Sequence, residues 1–200
     1  MIIKQIDIGN MDNFCYLIGC ETTRKALVID PGNDVEQIVS AADSEGLEIV
    51  TIVNTHGHGD HTAGNMALRA LTGAKIVIHA LDADRFPDAD VQLKDEKNLP
   101  LGELTIDVIH TPGHTPGGIC LHVQGNLFTG DTLFVGDSGR TDLNGGHRPT
   151  LGQSIRRLME LPDDTIVWPG HNYGPTPSST IGWEKRNNVN AKEYGYYVAE

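Results

Sequence analysis

The stretch THGHGDHT, Thr55 to Thr62, constrains this chain more than any other. It sets three histidines and an aspartate among glycines, after the apolar run IVTIVN and before TAGNMALRAL. The first flank reads as a buried strand and the second as a helix. In an extended segment side chains two apart point the same way, so His56 and His58 can converge on one point. Gly57 and Gly59 let the backbone leave strand geometry there. Asp60 and His61 then fall where the helix begins and face a second point. A polar surface loop is the bland alternative. It accounts for a single histidine far more easily than for three with an aspartate between strand and helix.

Three other segments repeat this logic: a strand ends, a glycine frees the backbone, and a metal-ligating side chain emerges. HTPGHTPGG follows the run LTIDVIHT and carries His114; LFTGDTLF carries Asp131; TIVWPGHNYG carries His171. Taken singly these are ordinary loop residues, but together with the first cluster they make a site built on loops held by a sheet. His56, His58, Asp60, His61, His114, Asp131 and His171 are too many donors for one zinc ion, which takes four or five. Two divalent ions sharing one carboxylate accommodate them, and Asp131 is the natural bridge because a carboxylate has two oxygens. This is the composition of a two-metal hydrolytic centre. Donors of nitrogen and oxygen alone suit zinc foremost, with iron or manganese as the other choices.

The rest of the chain supports a helix-covered sheet architecture. Strand patterns recur at IIKQIDI, FCYLIG, KALVID, AKIVIH, GICLHV and NLFTG. NDVEQIVSAADSEG predicts a helix with Asn33 and Glu36 as its capping pair and Gly46 as its stop. Another helix is expected from Thr62 to Gly73, a short one around Leu81 to Phe86, and a fourth in TLGQSIRRLMELP with Thr150 and Gln153 capping it. From Gly174 onward periodicity fades. Residues 174–200 are expected to form a tail of a single 1–200 domain, draped over it or mediating self-association through Tyr194, Tyr196 and Tyr197, which makes a homodimer one expectation.

Twenty-seven acidic against fifteen basic residues give a net charge of −12. Nucleic acid is therefore not an expected partner, because phosphate binding rests on Lys and Arg. No apolar run is long enough to span a membrane, and the N-terminus lacks the profile of a secretory signal. Cys15, Cys20 and Cys120 form no C-x-x-C pair and sit in apolar surroundings. They predict buried thiols in a reducing compartment, by default the cytoplasm.

THGHGDH, together with His114, Asp131, His171 and the opening LVIDPG, resembles the metallo-β-lactamase-fold superfamily over about residues 2–172. The resemblance implies a four-layer αββα sandwich with metals at one edge. It implies that His56, His58 and His114 hold one metal and that Asp60, His61 and His171 hold the other, with Asp60 able to assist proton transfer. It also places Asp30 beside the site as a carboxylate that orients an imidazole, although Asp30 before Pro31-Gly32 reads equally well as a turn-former.

Within that superfamily, Asp131 stands where some β-lactamases carry a cysteine ligand, and His58 where the flavodiiron proteins carry a glutamate. FTGDTLFVGDSGRTD, GGHRPTL and PGHNYGPTPSSTIGWEKRNN are similar to the glyoxalase II group, the hydroxyacylglutathione hydrolases, in their short bacterial form. That likeness implies a hydrolase of small thiolesters acting on a thiol-derived small molecule. Longer members carry a basic C-terminal helical segment that grips glutathione, and little of it is present here. Arg140, Tyr173 and Lys185 are the substitute substrate-binding candidates. A second resemblance, through GRTD, is to the persulfide dioxygenases, which use one iron; His58, His114 and Asp131, or a close variant, would then be its ligands. Lactone hydrolysis and a non-catalytic metal-holding module are the more distant readings.

Overall fold

The computed structural model describes residues 1–94 and 97–193, so the expectations for Tyr194, Tyr196 and Tyr197 lie outside the described residues. The chain opens with strands β1 (Ile2–Ile8), β2 (Asn13–Gly19) and β3 (Lys25–Ile29), then helix α1 (Val35–Ser44) and β4 (Glu48–Val53). Short α2 (Gly59–Thr62) and α3 (Asn65–Thr72) lead to β5 (Lys75–His79), a 3-10 turn over Ala80–Arg85, and β6 (Val91–Leu93). The second half comprises β7 (Asn98–Leu101), β8 (Leu104–His110), β9 (Ile119–Val123), β10 (Asn126–Gly130), α4 (Arg148–Leu158) and β11 (Ile166–Pro169). It continues through β12 (Ser179–Thr180), α5 (Ile181–Asn187) and α6 (Val189–Glu193).

Two six-stranded sheets result, in the orders β1-β2-β3-β4-β5-β6 and β12-β11-β10-β9-β8-β7. Alternation along the strands makes them stack, since successive side chains leave opposite faces. In β2, Phe14, Tyr16 and Ile18 enter a core between the sheets, where Ile106, Leu121 and Phe128 meet them. Cys15 and Leu17 point the other way, into a layer closed by Val35 and Ile38 of α1 and Leu68 of α3. On the far face of the second sheet, Cys120, Leu127 and Val167 are covered by Leu151, Ile155 and Leu158 of α4. The outcome is the expected αββα sandwich. All three cysteines are buried free thiols. Among the described residues no helix is long and apolar enough to cross a membrane.

Strand direction collects the loops of interest at one edge. In the first sheet β3 and β4 pair in parallel, so both end on the same side. In the second, β8 and β10 each run antiparallel to β9, and β10 is parallel to β11; their C-terminal ends therefore coincide. Asp30, the 55–62 loop, the 111–118 loop, Asp131 and His171 follow those five ends. Two glycines let the loops close. Gly130 has φ +47°, and a Cβ there would stand 2.3 Å from Thr55 Oγ1; at Gly170 it would stand 2.5 Å from Asp131 Oδ1.

Several expectations need correction. Asn33 does not cap α1: Asp34 occupies that position in a left-handed conformation, and its carboxylate accepts instead from the Gly9 N–H at 2.8 Å, because the β1–β2 turn lies against it. Helix α4 starts before Thr150, after His147, because Pro149 in the first turn already supplies helical φ. Thr150 Oγ1 pairs with His147 Nδ1 at 2.7 Å rather than capping. The tail from Gly174 is not featureless: β12, α5 and α6 add to the second sheet and its helical layer, with Ile181 and Ala191 buried beside α4.

A buried carboxylate that the sequence did not mark fastens two of the loops. Asp82, fully buried in the 3-10 turn, accepts from the Gly57 N–H (2.8 Å), the Thr115 hydroxyl (2.7 Å) and the Gly117 N–H (2.8 Å). Removing it strands three buried donors, each costing a desolvation penalty. Asp82→Ala is expected to destabilise the protein by about 3 kcal/mol, lowering a thermal unfolding midpoint by about 6–12 °C for a chain of this size. Asp82→Asn, which keeps one acceptor oxygen, loses less, and equal losses from both variants would contradict the role.

Candidate metal centre

The 55–62 loop leaves β4 with Asn54 fully buried beneath it. Asn54 Nδ2 donates to the His61 carbonyl (3.1 Å), and Asn54 Oδ1 accepts from Asn65 Nδ2 at 2.6 Å. The backbone turns at His58 and Asp60 and His61 enter α2, as the spacing predicted. The 111–118 loop is held by the bond from Ile119 N–H to the Thr55 carbonyl (2.8 Å) across to β9. The β1–β2 turn closes the far side, with Asn13 bridging to His171 and the Phe14 N–H on the Gly170 carbonyl at 2.9 Å.

The structure brings together all seven sequence-predicted donors. His56, His58 and His114 form one cluster, and Asp60, His61 and His171 another, with donor atoms in each within 4.8 Å of one another. Asp131 stands between them. Its Oδ2 lies 3.4 Å from His114 Nε2, 3.4 Å from His171 Nε2 and 4.0 Å from His56 Nε2, while Oδ1 lies 3.4 Å from His61 Nε2. Asp60 Oδ2 is 3.3 Å from His61 Nε2 and 3.5 Å from His171 Nε2, and it accepts from Asn13 Nδ2 at 3.0 Å.

The outer nitrogens fix which atom of each ring faces inward. His61 Nδ1 meets Asp30 Oδ2 (3.0 Å), His114 Nδ1 the Arg140 carbonyl (2.7 Å), His171 Nδ1 the Met11 carbonyl (2.9 Å) and His56 Nδ1 the Thr55 hydroxyl (3.1 Å). A carbonyl or carboxylate partner requires N–H at Nδ1, leaving Nε2 as a lone pair directed at the cluster. His58 is reversed and turns Nδ1 inward, 3.0 Å from His114 Nε2. Asp30 groups geometrically with His56 and His61 as well. Its oxygens, however, are taken by the Thr55 N–H (2.7 Å), the Thr55 hydroxyl (2.5 Å) and His61, so it orients the site from behind. It is also a turn residue, at φ +51°.

These donors fit divalent cations. His61 Nε2 and His171 Nε2 lie 3.1 Å apart, two inward lone pairs facing each other. Within the cluster, His56 Nε2 and Asp131 Oδ1 are buried with no hydrogen-bond partner among the described residues. Buried polar atoms are rarely left so, and a cation satisfies all of them. The protons of the cluster respond to the same crowding. Burial, then the charge on His61, holds His56 well below the ordinary imidazole value. Burial also disfavours charge on His61, but Asp131 and Asp30 outweigh it and raise that imidazole, so its inward Nε2 favours a positive partner, a proton or a cation, over a bare lone pair. Asp131 is depressed well below the carboxylate range: burial opposes this, and His61, His171 and His56 overcome it.

The cluster opens into a cavity of about 470 Å³ whose walls include Met11, Phe134, Leu143, Ser138, Arg140 and Tyr173. Tyr173 stacks on the His171 ring (4.5 Å, 12°) and donates to the Met11 carbonyl at 3.1 Å. Arg140 reaches the wall with its guanidinium doubly bonded to Asp142, at 2.6 and 2.7 Å. Lys185 is misplaced by the sequence reading: it does not line the cavity, and its ammonium is held on α5 by Asp163 (2.6 Å) and the Leu161 carbonyl. The helix turns its other face, with Glu184, inward. His79 is buried and stacks on His110 (4.2 Å), away from the cluster. Asn13, Asn54, Asp82, Met11 and Phe134 belong to the site without any mark in the sequence, because ordinary polar or apolar residues carry no signal of where the chain will return.

The family model described as the metallo-beta-lactamase superfamily matches residues 8–171. A hydroxyacylglutathione hydrolase of Polaromonas sp. (strain JS666) is 40% identical over 178 residues, covering 86% of this chain and 67% of that relative. The crystal structure of ETHE1 from Myxococcus xanthus gives a TM-score of 0.89 at 36% identity, covering 94% of this chain and 84% of that one. TTHA1623 in a di-iron-bound form gives 0.82 at 30% identity, covering 93% and 98%. The chain spans about two thirds of the length of the curated hydroxyacylglutathione hydrolases it matches. The two sheets, the His/Asp cluster at their common edge and a match over most of the chain lead to one conclusion: this protein belongs to the metallo-beta-lactamase superfamily.

Proposed function

We propose that this protein is a metal-dependent hydrolase of small thiolesters of the acyl-glutathione type, acting in a reducing compartment such as the cytoplasm. The observation that carries this reading is the placement of Asp131 between two three-residue donor clusters at the floor of an open cavity. Identity of about 40% to hydroxyacylglutathione hydrolases supports the substrate class.

In this reading His56, His58 and His114 would hold one divalent cation and Asp60, His61 and His171 a second, with Asp131, placed between the two clusters, available to both. When bound, such a pair supplies Lewis-acid polarisation of a carbonyl and a water acidic enough to attack near neutral pH. Zinc is the first choice for this donor set, and iron or manganese fit it too. Asp30, Thr55, Met11 and Arg140 hold the imidazoles in the tautomers that coordination needs. Asp60 opens on the cavity with its carboxylate depressed: burial opposes ionisation, but His61 and Asn13 favour it. Its place on the cavity wall, with Asn13 donating to it, makes it the side chain we assign to assist proton transfer. As the C–S bond breaks, the water oxygen stays on the acyl carbon as a carboxylate, one of the water's protons passes to the departing sulfur to give the thiol, and the other is released to solvent. Met11, Phe134, Leu143 and Tyr173 give the acyl and thiol arms an apolar wall. Arg140 can exchange Asp142 for a substrate carboxylate, because both side chains are exposed and an exposed pair is weak.

The likeness to ETHE1 favours a second reading, a mononuclear-iron persulfide dioxygenase using His58, His114 and Asp131 or a close variant. The two separate by product. Metal-loaded protein is expected to release thiol from S-lactoylglutathione, followed with a thiol reagent, and to consume no oxygen with glutathione persulfide; oxygen uptake without thiolester turnover would reverse the assignment. Arg140→Ala is expected to raise KM for S-lactoylglutathione about tenfold, the worth of a lost charge-assisted hydrogen bond, with little change in kcat. An unaltered KM would remove Arg140 from the substrate site.

A further inference from the structure

Glu184 is a fully buried carboxylate that the proposed chemistry does not use. It lies on α5, beyond the residues that carry the metal-type donors, yet its contacts run to the cavity wall. Its Oε2 accepts from the Gly136 N–H (3.0 Å) and from Asn188 Nδ2 (2.7 Å), and Oε1 accepts from the Ser179 hydroxyl. Asn188, also fully buried, directs the same amide at the Phe134 and Asp137 carbonyls, at 3.3 and 2.9 Å. Its Oδ1 accepts from the N–H groups of Asn190 and Ala191, which starts α6. Asn190 Nδ2 then donates to Asp137 Oδ1 at 2.6 Å. The Gly136 carbonyl is taken as well, by the Val189 N–H at 3.3 Å.

The segment so gripped is a tight turn, Phe134 to Asp137, in which Gly136 has φ +82° and Phe134 N–H bonds the Asp137 carbonyl at 2.9 Å. It begins the stretch Phe134–Arg140, which does two things at the site. The Phe134 ring packs edge-on against His171 (5.7 Å) and Tyr173 (5.5 Å). At its other end the Arg140 carbonyl receives His114 Nδ1. Phe134, Asp137, Ser138 and Arg140 also line the cavity. A loop of this length with a left-handed glycine does not hold one conformation by itself; its backbone groups need fixed partners.

We propose that Glu184, acting with Asn188 and Asn190, is a positioning residue for substrate: it fixes the Phe134–Arg140 loop as the wall of the cavity from outside the site. Burial raises the Glu184 pKa, and its bonds from Ser179, Asn188 and Gly136 work against that rise. A glutamine there keeps an acceptor for Gly136 and Asn188, and the Ser179 hydroxyl can reverse and accept from the new amide. Alanine keeps neither.

Only the kinetic arm of the test rests on the thiolester reading. Hydrogen–deuterium exchange read by mass spectrometry over residues 133–141 tests the loop directly on the metal-loaded full chain. Glu184→Ala is expected to speed exchange there about tenfold, the loss of one backbone bond to a buried carboxylate, while strands β2 and β9 exchange as in the parent. KM for S-lactoylglutathione is expected to rise severalfold with kcat changed less, and Glu184→Gln to restore both exchange and KM. If Glu184→Ala does not fold, Asn190→Ala, which cuts the Asp137 and Arg148 contacts, is expected to give a smaller change of the same kind. Unchanged exchange over 133–141, or a rise spread evenly through the protein, would overturn the proposal. A parent protein inactive on every thiolester would defeat the thiolester reading and leave the exchange result to decide this one.

Discussion

The structure at this edge depends on one buried carboxylate ringed by imidazole nitrogens. Asp131 lies 3.4 Å from nitrogens of His61, His114 and His171, and the four rings in its shell that turn Nε2 inward have each committed Nδ1 elsewhere. Lone pairs pressed together around an ionised oxygen are unfavourable unless positive charge is shared among them. The fold spends much of its irregular backbone on making that arrangement: glycines at 130 and 170 where side chains would collide, a left-handed Asp30, and a buried Asn54–Asn65 pair under the loop. Elsewhere the sandwich is conventional alternation.

What could be read from the sequence follows from how local each determinant is. Nine of the strands and the three main helices announce themselves by periodicity, because one face of each is buried in a continuous apolar layer, whereas the short β6, β7 and β12 carry no such pattern. The metal-type donors were legible because histidines and aspartates after strand ends, next to glycines, have few other uses in such numbers. Most of the failures are cases where a distant segment decides a local outcome; the start of α4, set by Pro149 in its own first turn, is a local one. Asp34 rather than Asn33 begins α1 because Gly9, across the sheet, claims its carboxylate. Helices α5 and α6 have no long apolar stripe, since buried asparagines and Glu184 reach a loop some fifty residues earlier in the chain. That same network turns Lys185 away from the cavity, which no spacing rule could foretell. Asp82 sits in a run of acidic residues that looks like ordinary surface.

The site divides into parts with separate supports. Asp82 and the Thr55–Ile119 bond hold the two histidine loops against each other, and Asp30 aims His61 from behind. The cavity wall is a different object, borne by the Phe134–Arg140 loop and the chain beyond β11. Donor geometry and cavity shape thus rest on largely separate contacts. This suits a superfamily fold whose donor cluster accompanies varied chemistry. The link between the two parts is narrow: the Arg140 carbonyl on His114 and the Phe134 ring on His171.

The most direct test of the account is the metal content of protein purified without added metal. Elemental analysis is expected to find about two divalent ions per chain, as a shared carboxylate between two donor clusters requires, and only about one in Asp131→Ala with the fold intact. A single tightly held ion in the parent protein, with Asp60, His61 and His171 replaceable without loss of it, would contradict the two-cation centre on which the proposed hydrolysis stands.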